Sequence, residues 1–233
     1  MVAARRRFLN AGHYQPIAAA VSRAALADLA PGATASCLDA GCGEGYYLRQ
    51  LAAATSDLKT LALLGLDISK WAILSAAKQD QRPNWVVGSN ANLPVLPGTL
   101  DRVLCMFGFP VYAEFARVLK PDGQLLQVDA GPEHLRELRE IIYPTLKPER
   151  TADVQAPEGF THLSTETVRY PLNLTGPEQI ADLLAMTPHL YRASAEGRAK
   201  AAALTALSVT VEVRLTRFLA RGHSHADSGT VQL

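Results

Sequence analysis

Cysteine is scarce in this chain: Cys37, Cys42 and Cys105 are the three in 233 residues, and no two of them form a CxxC pair. An odd, scattered set argues against both a disulfide framework and a thiolate metal site, so no metal is expected and a reducing cytoplasm is the expected location. Long apolar runs are missing too. None approaches the ~20 residues that a membrane-spanning helix requires, and the opening MVAARRRFLNAGHYQ has no apolar stretch behind its basic residues, so neither export nor membrane attachment is expected. Excess charge of either sign is lacking: 23 Lys and Arg stand against 22 Asp and Glu, a formal +1. That excludes a global field drawing the protein to polyanions and leaves only local candidates. Arg5, Arg6 and Arg7, with Arg214, Arg217 and Arg221, could meet phosphates, although solvated surface charge is the ordinary reading of such clusters.

What is present is a globular composition, 48% hydrophobic and 19% charged, in a length that suits one α/β domain over residues 1–233. Apolar runs alternate with helix-period segments, which predicts a doubly wound, mostly parallel sheet with helices on both faces. A helix is expected over 16–29, then a strand through Ser36, Cys37 and Leu38 into Asp39. Further strands are expected at 61–66, 85–87, 100–106 and 124–128, making five βα units, with Ser69 capping one helix and Lys120-Pro121-Asp122-Gly123 forming a turn. A helix over 133–142 leads into a proline-rich, charged loop or lid over 143–157. The β-branched segments 161–172 and 204–218 predict two strands paired at the sheet edge, antiparallel, with a helix over 177–186 between them. Residues 1–30 read as an N-terminal helical lid segment and 143–200 as a substrate-side insertion.

The strongest local motif is Asp39-Ala40-Gly41-Cys42-Gly43-Glu44-Gly45-Tyr46-Tyr47, where strand one turns into a helix. Glycines at alternate positions let the backbone approach a nucleoside and permit left-handed φ values. The dinucleotide fingerprint GxGxxG needs a small residue at its sixth position, which here is Tyr46. Asp39 favours a cationic ligand, which S-adenosylmethionine is and a dinucleotide is not. Asp67 at the end of strand two suits a pair of ribose hydroxyls, Ile68 suits the face of an adenine ring, and the amides at Asn90 and Ala91 suit its edge. Three strand ends thus converge on one adenosine-sized crevice. Cys37 and Cys105 read as core and Cys42 as a small loop residue.

Three segments together carry a family resemblance: Arg6-Arg7-Phe8-Leu9-Asn10-Ala11-Gly12-His13-Tyr14-Gln15-Pro16, the glycine loop, and Gly65-Leu66-Asp67-Ile68-Ser69-Lys70. It continues through Ala116 to Pro121, Gly131-Pro132-Glu133-His134-Leu135, Glu158-Gly159-Phe160-Thr161 and Met186-Thr187-Pro188. The chain resembles the bacterial 23S ribosomal RNA guanine N1 methyltransferases over nearly its whole length, with the AGHYQP and GPEHL segments the most particular. The resemblance implies a class I, Rossmann-like S-adenosylmethionine-dependent methyltransferase. It also implies that Tyr14, the Gly43-Glu44 pair and His134 contact the methyl donor. The sequence departs from that family in two places. It has none of the cysteines of the family's N-terminal zinc-binding module, and Phe107-Gly108-Phe109-Pro110-Val111-Tyr112 stands where an Ala-Pro-Cys run is usual.

Methyl transfer from sulfonium to nitrogen rests mainly on alignment of donor and acceptor, with a base needed only to remove a proton from the nitrogen. The sequence singles out no such base. Phe107, Phe109 and Tyr112 could stack on a flipped-out base or could be core. Expected partners are ribosomal RNA or, as the alternative, a small-molecule acceptor. A second alternative is a donor-binding protein without catalysis. Whether the chain forms a homodimer and whether Met1 is its natural start are left open.

Overall fold

Along the central strands, successive side chains are buried on opposite faces, as a sheet covered on both sides requires. Cys37 and Leu104 belong to one apolar core, while their neighbours Leu38 and Val103 belong to another. The computed structural model describes residues 1–30, 32–55, 60–145 and 155–222. Its sheet has seven strands: β1 (Thr34–Ala40), β2 (Thr60–Asp67), β3 (Asn84–Val87), β4 (Leu100–Met106), β5 (Leu119–Ala130), β6 (Phe160–Leu174) and β7 (Leu207–Ala220). Their order is β3-β2-β1-β4-β5-β7-β6. The first five run parallel, and β7 pairs antiparallel with both β5 and β6. The doubly wound sheet with an antiparallel C-terminal edge is therefore as the sequence predicted. The order reverses between β1 and β4, where an open α/β sheet leaves a crevice at its strand ends.

Helices α1 (Val2–Asn10), α2 (Gln15–Leu26) and α3 (Tyr46–Ala54) contribute to the larger core. So do α6 (Arg136–Ile142), α7 (Pro177–Met186) and α9 (Ala195–Ala202), while α8 (His189–Arg192) bridges the last two. On the other face α5 (Tyr112–Val118) packs through Phe115 and Val118. Helix α4 (Lys70–Gln79) is capped by Ser69, whose hydroxyl accepts the Ala72 N–H.

Three expectations need correction. The segment 88–99 between β3 and β4 is a loop with a small bridge at Ser89 and Asn92, not the helix that a fifth βα unit requires. The turn at 120–123 lies within β5, where Asp122 takes a left-handed φ of 63° and the pairing with β4 shifts register. The helix expected from 133 starts at Arg136, because Leu135 is held at a φ of 53° by its N–H bond to Thr210 O. The helical segment expected over 1–30 holds a separate helix α1 ahead of the one expected over 16–29: its run of arginines hides an apolar side formed by Ala4, Phe8 and Leu9. Most of the expected 143–157 lid lies outside the described residues.

The AGHYQP segment is a tight helix-to-helix corner. Gly12, at a φ of 84°, lets the chain leave α1, and Pro16 sits in the first turn of α2, where its missing N–H costs nothing. Strand β6 holds the corner through the Tyr170 hydroxyl, which donates to His13 O at 2.8 Å. Arg7 grips Asp182 of α7 with two nitrogens, tying the N-terminal segment to the β6–β7 connection.

Candidate functional site

Strand β2 anchors the glycine loop: Leu66 O accepts the N–H groups of both Gly41 and Cys42, at 2.8 and 2.9 Å. Gly41, Gly43 and Gly45 have φ of 88°, 57° and 81°, a region that side-chain-bearing residues enter only with strain. Gly45 has a second constraint, because a Cβ there would lie 2.3 Å from the Trp85 indole. Asp67 braces the same loop, its Oδ2 accepting the Gly43 N–H at 2.9 Å and its Oδ1 the Ser69 N–H at 2.8 Å.

Above this frame opens a crevice of about 330 Å³ lined by Gly41, Asp67, Ile68, Asn90, Ala91 and Gly108. Five residues picked out from sequence thus meet in one place. Ile68 is 79% exposed and offers a bare apolar face. A second cavity, of about 290 Å³, adjoins the crevice at Gly108 and is lined by Arg5, Tyr14, Phe107, Asp129, His134 and the segment 186–189. Tyr14 and His134 therefore come together, but in this second cavity. Of the three aromatics considered for stacking, only Phe107 lines it. Phe109 is 92% exposed at the crevice rim, and Tyr112 turns its hydroxyl to Gln127 and its ring toward Phe160.

Asp39, Gly43, Glu44 and Gly45 line neither space. Asp39 and Glu44 are buried beneath the loop, where Arg49 lies 3.1 Å and Arg5 3.8 Å from the Glu44 carboxylate. Burial pushes the Asp39 carboxyl up to about 7 against the opposing pull of Arg5, and the charges of Asp67 and Glu44 add to the rise.

The GPEHL segment positions His134 by packing on β7. Gly131 donates to Glu212 O, and a Cβ at Gly131 would lie 2.5 Å from the Glu212 carboxylate. The Glu212 N–H in turn donates to His134 Nδ1 at 3.3 Å. With Nδ1 accepting, the neutral ring carries its proton on Nε2, which faces the Tyr14 hydroxyl at 3.4 Å. Burial pushes the imidazole down to about 4, so the neutral form prevails near pH 7.

Sequence reasoning missed Arg5 and Asp129. Arg5 looked like one of three solvated arginines, yet it turns inward. Asp129 sits at the carboxyl end of β5, a position that the strand-end rule could have flagged. The arginines form no common patch, since Arg7 binds Asp182, Arg217 binds Asp28 and Gln124, and Arg221 binds Thr161.

Residues 37–123 match the methyltransferase domain family. A Micromonospora griseorubida protein, named as a candidate 23S rRNA (guanine-N(1)-)-methyltransferase, is 34% identical over 94% of this chain and 79% of its own length. The chain belongs to the 23S rRNA guanine-N1 methyltransferase family. The Streptomyces fradiae 23S rRNA (guanine(748)-N(1))-methyltransferase is 31% identical over 81% of the chain and 67% of its own length. A Bacillus subtilis strain 168 relative, again a candidate by name, is 35% identical over 76% of the chain, which spans 64% of that protein. Among solved structures, a candidate type II methyltransferase from Anaeromyxobacter dehalogenans superposes with a TM-score of 0.57 over 87% of this chain and 95% of that one, at 18% identity. That likeness shows the fold alone.

The methyl donor of this methyltransferase is S-adenosylmethionine. Among the described residues six buried side-chain polar atoms have no hydrogen-bond partner, and besides Glu44 Oε1 and the Tyr47 hydroxyl they suit it: both carboxylate oxygens of Asp39, Arg5 Nε and Asn90 Oδ1. A cationic amino acid answers a buried carboxylate, its own carboxylate answers a guanidinium, and an exocyclic amine answers an amide oxygen.

Proposed function

We propose that this methyltransferase modifies N1 of a guanine in 23S ribosomal RNA. The observation that carries the reading is the partly aromatic cavity meeting the nucleoside-sized crevice at Gly108, in a chain whose relatives are named for that reaction. Bound S-adenosylmethionine supplies a methyl group made electrophilic by its sulfonium. The chain binds and orients. Asp67 holds the ribose: each oxygen already accepts one backbone N–H, and a carboxylate has about four acceptor sites, so a lone pair on each remains for a hydroxyl. Ile68 covers the adenine face while Asn90 and Ala91 read its edge. Asp39 and Glu44, under Gly41, Gly43 and Gly45, set the negative potential for the cationic end. Tyr14 and His134 close the methyl-bearing end toward the acceptor, and Phe107 offers a ring for base stacking. Residues 1–30 act as the lid, and the segment 186–189 forms part of the substrate-side wall of one catalytic domain.

Primer extension across 23S RNA from cells with and without the gene tests this, because a methyl on N1 blocks the Watson–Crick edge and stops reverse transcriptase. The expected result is a gene-dependent stop, with 1-methylguanosine in the digested RNA. Equal extension in both, with turnover of a small metabolite by the purified protein, would overturn it in favour of a small-molecule acceptor.

A further inference from the structure

Guanine presents a particular difficulty to a methyltransferase. Its N1 carries a proton and its lone pair is delocalised into the ring carbonyl, so the nitrogen becomes a good nucleophile only as that proton leaves. The cavity beside Gly108 must therefore contain a proton acceptor if the proposed reaction is right, and the inference below rests on that reading.

We propose that Asp129 is the catalytic base and the guanine-selecting residue, its free carboxylate oxygen facing the base edge while a Tyr112–Gln127 relay holds the other oxygen. The Tyr112 hydroxyl donates to Gln127 Oε1 at 3.0 Å, and Gln127 Nε2 donates to Asp129 Oδ2 at 2.7 Å. The amide orientation is fixed by its partners, since the flipped form would set Gln127 Oε1 against a carboxylate oxygen. Gln127 and Asp129, two residues apart on β5, share one face of the strand. Among the described residues Asp129 Oδ1 accepts no hydrogen bond, and the cross-strand neighbour of Asp129 on β7 is Arg214. One carboxylate oxygen is thus anchored and the other left free beside the cavity that Asp129 lines.

The other titratable groups around the cavity are poorer candidates. The Arg5 guanidinium carries no acceptor atom, and the Tyr14 hydroxyl is engaged with His134 Nε2. His134 has Nδ1 occupied by the Glu212 N–H and its proton on Nε2, so it has no free basic nitrogen. His189 is tied by Nδ1 to the Tyr143 hydroxyl at 2.8 Å. Guanine also offers two adjacent donors, N1–H and the N2 amine, which a carboxylate can accept side by side and a single imidazole nitrogen cannot. Adenine and cytosine present a ring acceptor where guanine presents N1–H, so the same carboxylate repels them.

In the step proposed, Asp129 takes the N1 proton as the electron pair left on N1 forms the bond to the methyl carbon. The carbon–sulfur bond breaks with its pair going to sulfur, which turns the sulfonium into a neutral thioether. Guanine leaves methylated and neutral, and Asp129 returns its proton to water.

The test uses 23S RNA from cells lacking the gene, the full chain, and nucleoside mass spectrometry across a pH series. Asp129→Asn should lower the rate of 1-methylguanosine formation about 10²–10⁴-fold near neutral pH. Its rate should climb with pH toward the range where guanine N1 ionises by itself, whereas the wild-type rate levels off. Its affinity for S-adenosylmethionine, read by calorimetry, should be unchanged. Should Asp129→Asn fail to fold, Gln127→Leu decides: it keeps the carboxylate but frees its orientation, and a rate loss of about tenfold or more at unchanged donor affinity is expected. A near-normal rate and pH profile in a folded variant would overturn the assignment while leaving the proposed reaction standing. So would the same loss and alkaline recovery in His189→Gln instead. If the wild-type protein forms no 1-methylguanosine, the reaction and the base fall together.

Discussion

The hydroxyl of Tyr14 lies 3.4 Å from His134 Nε2, joining the corner before α2 to the segment before α6 across 120 residues of chain. The contact pulls the two most family-specific motifs into one wall. Because His134 Nδ1 is already occupied, Nε2–H relies on Tyr14 as its acceptor. Tyr14→Phe keeps the ring, and with it the edge-on packing against Phe8 at 5.3 Å, but leaves a buried N–H unmet. We expect stability to fall by about 1–3 kcal/mol, measured by urea denaturation. An unchanged midpoint would show that the pair contributes nothing.

Arg5 stands between the acidic floor of the site and the acceptor cavity. Arg5→Leu should remove a charge-assisted partner for the methyl donor's carboxylate and weaken binding by about 1.5–3 kcal/mol, roughly ten- to a hundredfold. Calorimetry with S-adenosylmethionine reads this directly, and equal affinity would mean that another group receives the carboxylate.

The raised pKa of Asp39 has two opposite pH signatures. Between the ordinary value of 3.8 and about 7, the folded ligand-free protein keeps a proton that the unfolded chain has released. Its stability should therefore fall as pH rises through that window. Affinity for the cationic donor should do the reverse, rising by up to about tenfold per pH unit until about pH 7 and then levelling, as binding no longer has to expel the proton. Denaturation and calorimetry at the two ends of the window check both; parallel trends would refute the linkage.

Gly45→Ala combines a left-handed φ with a clash against Trp85. We expect a loss of at least about 1–3 kcal/mol in stability together with weaker donor binding. Adding Trp85→Leu should restore only the part due to the clash, and full recovery in the double variant would mean that the backbone angle is not strained.

Much of this was legible in the sequence because local and tertiary preferences agree along the first half. The strand over 100–106 matches β4 residue for residue, since the apolar run Val103 to Met106, bounded by turns, permits few alternatives. The crevice residues were legible for a related reason: each follows a strand end, and parallel strands bring their ends together. What failed depended on long-range contacts. Arg5 could not be told from Arg6 without knowing that the side of α1 bearing Ala4 and Phe8 is buried against the core. Tyr112 read equally as a stacking ring or as core until Gln127 gave its hydroxyl a partner. Asp129 carries no motif, and its candidacy comes from its place at the end of β5 beside the cavity and from its bond to Gln127.

The packing of Gly45 against Trp85 gives the protein an optical consequence. The chain has two tryptophans. Trp85, whose Nε1 donates to Asp80 O at 2.7 Å, lies under the glycine loop, whereas Trp71 is 74% exposed on α4. Iodide in the solvent should extinguish the emission of Trp71 and spare that of Trp85. The light that remains would then report on the loop alone, turning a steric constraint into an unlabelled fluorescence signal for donor arrival.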